Sequence, residues 1–270
     1  MYFIYEFFRI IGIVTGYPLQ ALFFKRKTFY EDKKATKLRR GGKLIISNHF
    51  NLFDYVLNCF IVFPRRLTAV TGEHAFRNPL LRVGMKFFGT IEANRETRSM
   101  KFMDKCVEVI KRGKLVQIFP EGRNTPDGKI HEFKHSYLVI AYRAGCPVVP
   151  IVTDGNYHPF RRVRVYIGKE IDVSPFFTEG RRTPPREELE RANEYVFNKV
   201  LELRALLDED RARAEAKKAA RRARRGRVGK PSEGKGTEQP VVPVTTAETV
   251  TVADTVDANK TNRKEDTDNA

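Results

Sequence analysis

The sequence predicts an α/β fold: one domain with a mixed central sheet flanked by helices, preceded by a short pair of N-terminal helices. Three observations carry this. Short β-type runs at Lys43–Ser47, Leu115–Phe119, Val148–Val152 and Val163–Gly168 alternate with helical stretches near 54–63, 97–112 and 134–144. Such alternation is the signature of strands and helices packed in layers. Glycines punctuate it where helices must stop: Gly113 after Lys111-Arg112, and Gly145 before Cys146-Pro147. The chain of 270 residues is 41% hydrophobic, enough for one sizeable core plus appendages.

Residues 1–40 read as a separate element. Met1 to Phe24 is intensely apolar, with Tyr2, Phe3, Ile4, Phe7, Phe8, Ile10, Ile11, Ile13 and Val14. It lacks the early charges and small-residue cleavage site of a signal peptide. Glu6 and Arg9 lie deep within it and Gly16-Tyr17-Pro18 interrupts it, so it falls short of the ~20 apolar residues of a spanning helix. Glu6, Arg9, Gly12 or Ile13, and Gly16 share one side at helical spacing, which leaves a broad apolar face. The expectation is two short interfacial helices lying on a membrane; an ordinary core helix has the same periodicity. Lys25, Arg26, Lys27, Lys33, Lys34, Lys37, Arg39 and Arg40 follow, a cluster suited to anionic headgroups.

The main domain is expected over 41–208. Its last helix opens after Pro184-Pro185 and carries an apolar stripe of Leu189, Ala192, Tyr195, Val196, Lys199, Val200, Leu203 and Leu206. Residues 209–270 form a basic segment and tail. From Arg211 to Lys230 there are ten Lys/Arg against one acid, Glu215, helical at most by propensity. From Gly229 the composition reads as disorder.

The formal net charge of +17 calls for a polyanionic partner: an anionic membrane, nucleic acid or a phosphorylated substrate. The basic run has no interleaved aromatics to stack bases, so nucleic acid is not expected. Cys59, Cys106 and Cys146 have no metal-ligand spacing, and an odd scattered count fits buried thiols in a reducing compartment.

Four segments carry the candidate chemistry. The first is Ser47-Asn48-His49-Phe50-Asn51-Leu52-Phe53-Asp54, an H-x-x-x-x-D element. Five residues on a helix separate two side chains by about 140°, so His49 and Asp54 meet only if His49 ends a loop after the strand and Asp54 opens the next helix. The flanking residues fit that arrangement. An Asp accepting from one imidazole nitrogen fixes the tautomer and leaves the other as a base. The second is Ile118-Phe119-Pro120-Glu121-Gly122-Arg123, a tight turn at a strand end from which Glu121 and Arg123 project into a cleft; Arg suits a phosphate through two parallel N–H···O bonds. The third is Gly89-Thr90-Ile91-Glu92-Ala93-Asn94-Arg95, with Arg95 a second phosphate candidate near a helix start. The fourth, Val148-Val149-Pro150-Ile151-Val152, is a buried strand. Taken singly, each of the first three is also a common surface pattern.

In this order and approximate spacing, over roughly residues 40–175, the four blocks resemble the glycerolipid acyltransferase family and look like its 1-acylglycerol-3-phosphate acyltransferases. The resemblance implies transfer of a fatty acyl group from acyl-CoA or acyl carrier protein to the free hydroxyl of 1-acylglycerol-3-phosphate, giving phosphatidic acid. It implies His49 as general base, Asp54 as its orienting carboxylate, and Asn94, Arg95, Glu121, Gly122, Arg123 and Lys134 in acceptor binding, with Arg95 at the phosphate. It implies no covalent acyl-enzyme, no metal and no cofactor, and a peripheral, monotopic place on the cytoplasmic face of the cell membrane. Two departures bear on the acceptor rather than the reaction. The family commonly has a Thr between the Gly and the Arg, whereas Arg123 follows Gly122 directly. Phe133-Lys134-His135-Ser136 has His and Ser where the family often has a glycine near the lysine. Three competing readings remain: the same chemistry on another lysophospholipid or lipid acceptor, a non-catalytic basic membrane-associated protein, or a Ser or Cys hydrolase, though there is no G-x-S-x-G elbow.

Overall fold

The structure is a computed structural model that describes residues 2–228 apart from 24, 34–37, 52, 73–78, 80–81, 84, 86–88, 94–99, 126 and 159–161. The chain divides into two units, 1–224 and 225–270. The disorder expected from Gly229 onward, and the lysines at 34 and 37, lie outside the described residues.

Seven strands form one sheet in the order β1-β7-β6-β2-β5-β3-β4. They are β1 (Lys25–Tyr30), β2 (Lys43–Ser47), β3 (Leu67–Gly72), β4 (Ile91–Ala93), β5 (Leu115–Ile118), β6 (Val148–Thr153) and β7 (Arg162–Ile167). β2 pairs in parallel with β5 and β6, β3 in parallel with β5 and β4, and β1 in parallel with β7. The β6–β7 pair alone is antiparallel among the described strands, which makes the sheet mixed. The central strands read as continuous apolar runs because both faces are covered. Leu44, Ile46, Val116, Ile118, Val148 and Val152 face a core built with α3 (Lys101–Lys111), α4 (Ser136–Ala144) and α5 (Arg186–Val228). Ile45, Leu115, Val149 and Ile151 alternate to the other face, under Leu57 and Val62 of α2 (Phe53–Val62).

Connections leave β2 and β5 in opposite senses. From β2 the chain passes through α2 on one face to β3; from β5 it passes through α4 on the other face to β6. Adjacent strands whose connections diverge open a crevice at their carboxyl ends, the usual ligand position in an open α/β sheet. His49 and the Phe119–Arg123 turn sit there.

Several expectations change. The N-terminal pair is one continuous helix, α1 (Tyr2–Phe23), with Pro18 inside it. Proline removes one intrahelical hydrogen bond, yet the helix runs on because its polar side is anchored to the domain. Glu6 accepts from Arg9 at 2.8 Å and from Arg66, and Arg9 reaches the Pro64 carbonyl at 3.4 Å. Burial opposes ionisation of Glu6, but Arg9 and Arg66 overcome it and hold its carboxyl below the usual value. Within the basic linker, Lys25–Tyr30 is an edge strand rather than a loop, and β3 and β4 join the sheet beyond the strands that the sequence predicts. The final helix does not fade after Asp208 but continues to Val228. Its buried stripe is Leu189, Ala192, Val196, Val200, Leu203 and Leu207, while Tyr195 and Leu206 are exposed.

Candidate active site

β2 delivers His49 to the crevice, and the first turn of α2 brings Asp54 beside it. The Nδ1 of His49 lies 3.1 Å from Asp54 Oδ2. That same oxygen accepts the backbone N–H groups of Phe50 at 2.6 Å and Asn51 at 2.8 Å. Asp54 thus reaches back from the first turn of its helix to pin the turn that precedes it while holding the imidazole, which is why the two residues meet across a five-residue gap. The Tyr157 hydroxyl, from the loop after β6, donates to Oδ1. Burial, then the Asp54 charge, pushes the Tyr157 phenol well above its ordinary range, so it stays protonated and serves as a donor. The Asp54 side chain is fully buried and that of His49 is 19% exposed. With Nδ1 committed to the carboxylate, Nε2 is the nitrogen left to take a proton. The ring lies flat on Phe119, centroids 3.8 Å apart and planes 15° apart, which fixes its tilt.

The backbone of His49 is clamped from the neighbouring strand. Glu121 Oε1 accepts its N–H at 3.3 Å, and the Thr125 N–H donates to its carbonyl at 2.8 Å. Glu121 Oε2 accepts the His131 N–H at 3.2 Å. The Thr125 hydroxyl lies 3.0 Å from Oε2 and 3.1 Å from the His49 carbonyl, and its single proton serves one of them at a time. Contrary to the expectation that Glu121 projects into a cleft, its side chain turns inward and the residue is 4% exposed. Burial raises its carboxyl above the usual value, against the pull of these donors. On the far side, buried Asn48 closes β2 onto β6: its amide donates to the Thr153 carbonyl at 3.1 Å and accepts the Thr153 N–H at 2.9 Å.

Glu121→Gln is therefore expected to destabilise the fold by about 1–3 kcal/mol, the cost of a buried donor left unmet. Whichever way the amide turns, its NH2 faces a backbone N–H, of His49 or of His131. Denaturant unfolding reads the loss; a variant as stable as the parent would remove the clamp from this account.

Gly122 has φ +68°, and an added Cβ would sit 3.2 Å from Lys134 Nζ. A glycine lets the lysine lie against the turn. Arg123 and Lys134 are exposed beside the turn. Asn94 and Arg95 lie outside the described residues. Phe119, Thr125 and Tyr157 were not singled out as site residues by the sequence. Among the described residues no group of three or more His, Cys, Asp or Glu is placed to hold a metal ion. The thiols are not activated: burial pushes Cys59 up to about 11 and Cys106 and Cys146 up to about 12, far from the thiolate a nucleophile needs.

A histidine aimed by a carboxylate, in the crevice of an α/β sheet, is equipped to deprotonate an alcohol. The chain is similar to several known proteins. The family model described as Acyltransferase matches residues 28–154. The chloroplastic 1-acyl-sn-glycerol-3-phosphate acyltransferase of Brassica napus is 31% identical over 113 residues, which are 41% of this chain and 32% of that protein. The 1-acyl-sn-glycerol-3-phosphate acyltransferase of Haemophilus influenzae is 26% identical over 181 residues, covering 62% of this chain and 73% of that protein. The crystal structure of the 1-acyl-sn-glycerophosphate acyltransferase of Thermotoga maritima overlaps 74% of this chain and 78% of that chain, at 24% identity and a TM-score of 0.49. The chain spans about a third of the length of the chloroplastic relatives it matches. The stretch that matches the Acyltransferase family model, residues 28–154, contains the His49–Asp54 pair and the turn that holds it.

Proposed function

We propose that the protein transfers a fatty acyl group from an acyl thioester, acyl-CoA or acyl carrier protein, to the free hydroxyl of 1-acylglycerol-3-phosphate, giving phosphatidic acid. The observation that carries this is the hydrogen bond from His49 to Asp54 at the divergence of β2 and β5. Nε2 takes the hydroxyl proton as the alcohol oxygen attacks the thioester carbonyl. The tetrahedral intermediate collapses to the ester and expels the thiolate, which takes the proton back from the imidazolium. A thioester is already activated, so base and alignment do most of what is required. Arg123 and Lys134 supply positive charge beside the turn for the acceptor phosphate, and Arg95 with Asn94 is assigned there from family likeness alone. Mass spectrometry of products from purified full chain, a mixed panel of lysolipids and both donors tests the reading. A lysolipid lengthened by one acyl chain, dependent on 1-acylglycerol-3-phosphate, is expected. Acylation of a different lysolipid would change the acceptor, and no acylated product would overturn the activity.

The protein is further proposed to act as a peripheral enzyme on the cytoplasmic face of the cell membrane. α1 carries its apolar residues outward: Phe3 is 83% exposed, and Ile4, Phe7, Phe8, Ile10, Ile11 and Val14 are exposed with it, while Arg9, Ile13 and Gln20 face in. A water-facing helix has the opposite arrangement, and an interfacial one has this. Among the described residues no helix is long and apolar enough to cross a membrane. The basic helix beyond Asp210 adds diffuse attraction to anionic lipid, about 1 kcal/mol per well-placed charge. Truncation after Asp210 is expected to weaken binding to anionic liposomes in a salt-sensitive manner and to spare turnover on detergent-dispersed substrate. Equal liposome binding by both proteins would contradict it.

A further inference from the structure

We infer that the active-site end of the sheet's β1 edge carries a discrete binding site for the phosphate headgroup of an anionic phospholipid, built from Lys25, Arg26 and Arg162. The inference rests on the proposed attachment of α1 to a bilayer and not on acyl transfer.

A cavity of about 410 Å³ lies between α1 and the starts of β1 and β7, lined by Tyr17, Gln20, Lys25, Arg26, Lys27 and Arg162. In the parallel β1–β7 pair, Lys25 stands opposite Arg162 and Lys27 opposite Arg164. Like charges facing one another across neighbouring strands repel. The Lys27–Arg164 pair has an internal remedy: Asp210 accepts from Lys27 at 3.1 Å and from Arg164 at 3.0 Å. The Lys25–Arg162 pair, two residues along, has the same charge and no such acid. Among the described residues neither of them, nor Arg26, makes an ion pair. Arg26 adds a second sign: its Nη1 is enclosed and without a hydrogen-bond partner. Three cations around one cavity, one of them with an unmet buried N–H group, form a receptor for a multiply accepting anion, and phosphate matches the guanidinium fork.

The wall of the cavity identifies the source of that phosphate. Tyr17 is on α1, whose neighbouring Val14, Ile10 and Ile11 are exposed. A headgroup held at Arg26 thus has an apolar helix face beside it for its acyl chains. At about 4.8 Å per strand, β1 stands roughly 14 Å from β2, so the site is separate from the His49 crevice. Its role is to orient the domain on the bilayer.

The test is vesicle binding by the full chain, with phosphatidylcholine vesicles made with and without phosphatidylglycerol. The parent is expected to prefer the anionic vesicles. Arg162→Gln and Arg26→Lys are each expected to lose about tenfold in affinity for them, against at most about fivefold for one diffuse surface charge, read from Lys105→Gln on α3. Arg26→Lys is decisive because it keeps the charge and removes the fork; exposed Arg162 carries the test should that variant not fold. Losses no larger than that of Lys105→Gln overturn the site. Release of the parent by inorganic phosphate, unmatched by chloride at equal ionic strength, assigns the cavity to a free anion and overturns the lipid assignment. Equal binding to both vesicles overturns the headgroup site while leaving the attachment of α1 standing; binding to neither overturns both.

Discussion

His49→Ala is expected to lower kcat by about 10²–10⁴-fold, the range a positioned general base contributes, with little effect on folding. The imidazole is part-exposed and lies on Phe119 at the mouth of the crevice. The groups that hold the segment bind the backbone of residue 49, not its ring: the Glu121 carboxylate and the Thr125 N–H. The alanine variant should therefore keep its unfolding transition and still bind both substrates. Steady-state turnover beside thermal unfolding separates the two effects. A variant that retains full turnover would move the base elsewhere.

Asp54→Asn is expected to cost on the order of 10²-fold in kcat, the typical loss when one preorganised charge partner of a transition state is removed. The substitution is a clean one because of the geometry. An amide oxygen in the place of Oδ2 still accepts from Phe50, Asn51 and the imidazole. Its NH2 then faces the Tyr157 hydroxyl, which rotates to accept. The ring stays in place and the tautomer is kept, but the imidazolium formed during proton transfer loses the negative charge 3.1 Å away. Asp54→Ala differs, because the Phe50 and Asn51 N–H groups then lose their acceptor. The asparagine variant should unfold near the parent and the alanine variant well below it. Were both to unfold alike, the role of Asp54 in pinning the turn before α2 would be wrong.

The sequence made β2, β5 and β6 legible because both their faces are buried, so they stand out as apolar runs. β1 was hidden for the opposite reason. An edge strand tolerates lysines and arginines on an exposed margin, and Lys25-Arg26-Lys27 reads as a loop until β7 is seen beside it. Gly16-Tyr17-Pro18 suggested a break in α1, but Glu6, Arg9 and Arg66 tie the helix down along its polar side. In the site, the His49–Asp54 pair was readable because strand, turn and helix start lie within a few residues. The rest of the scaffold was not. Glu121 is 72 residues from His49, Tyr157 is 103 from Asp54, and Thr153 is 105 from Asn48. Local pattern carries no signal for such pairs, and even the side-chain direction of Glu121 depends on His131 and Thr125 folding over it.

In the proposed mechanism imidazole and carboxylate act as a single proton-handling unit, and a double-mutant cycle tests this most directly. Turnover would be measured for the parent, His49→Ala, Asp54→Asn and the double variant with one thioester donor and one lysolipid. If the carboxylate acts only through the imidazole, the double variant turns over no more slowly than His49→Ala alone. A double variant slower than His49→Ala by the full factor that Asp54→Asn costs the parent would show two independent contributions and contradict the pairing.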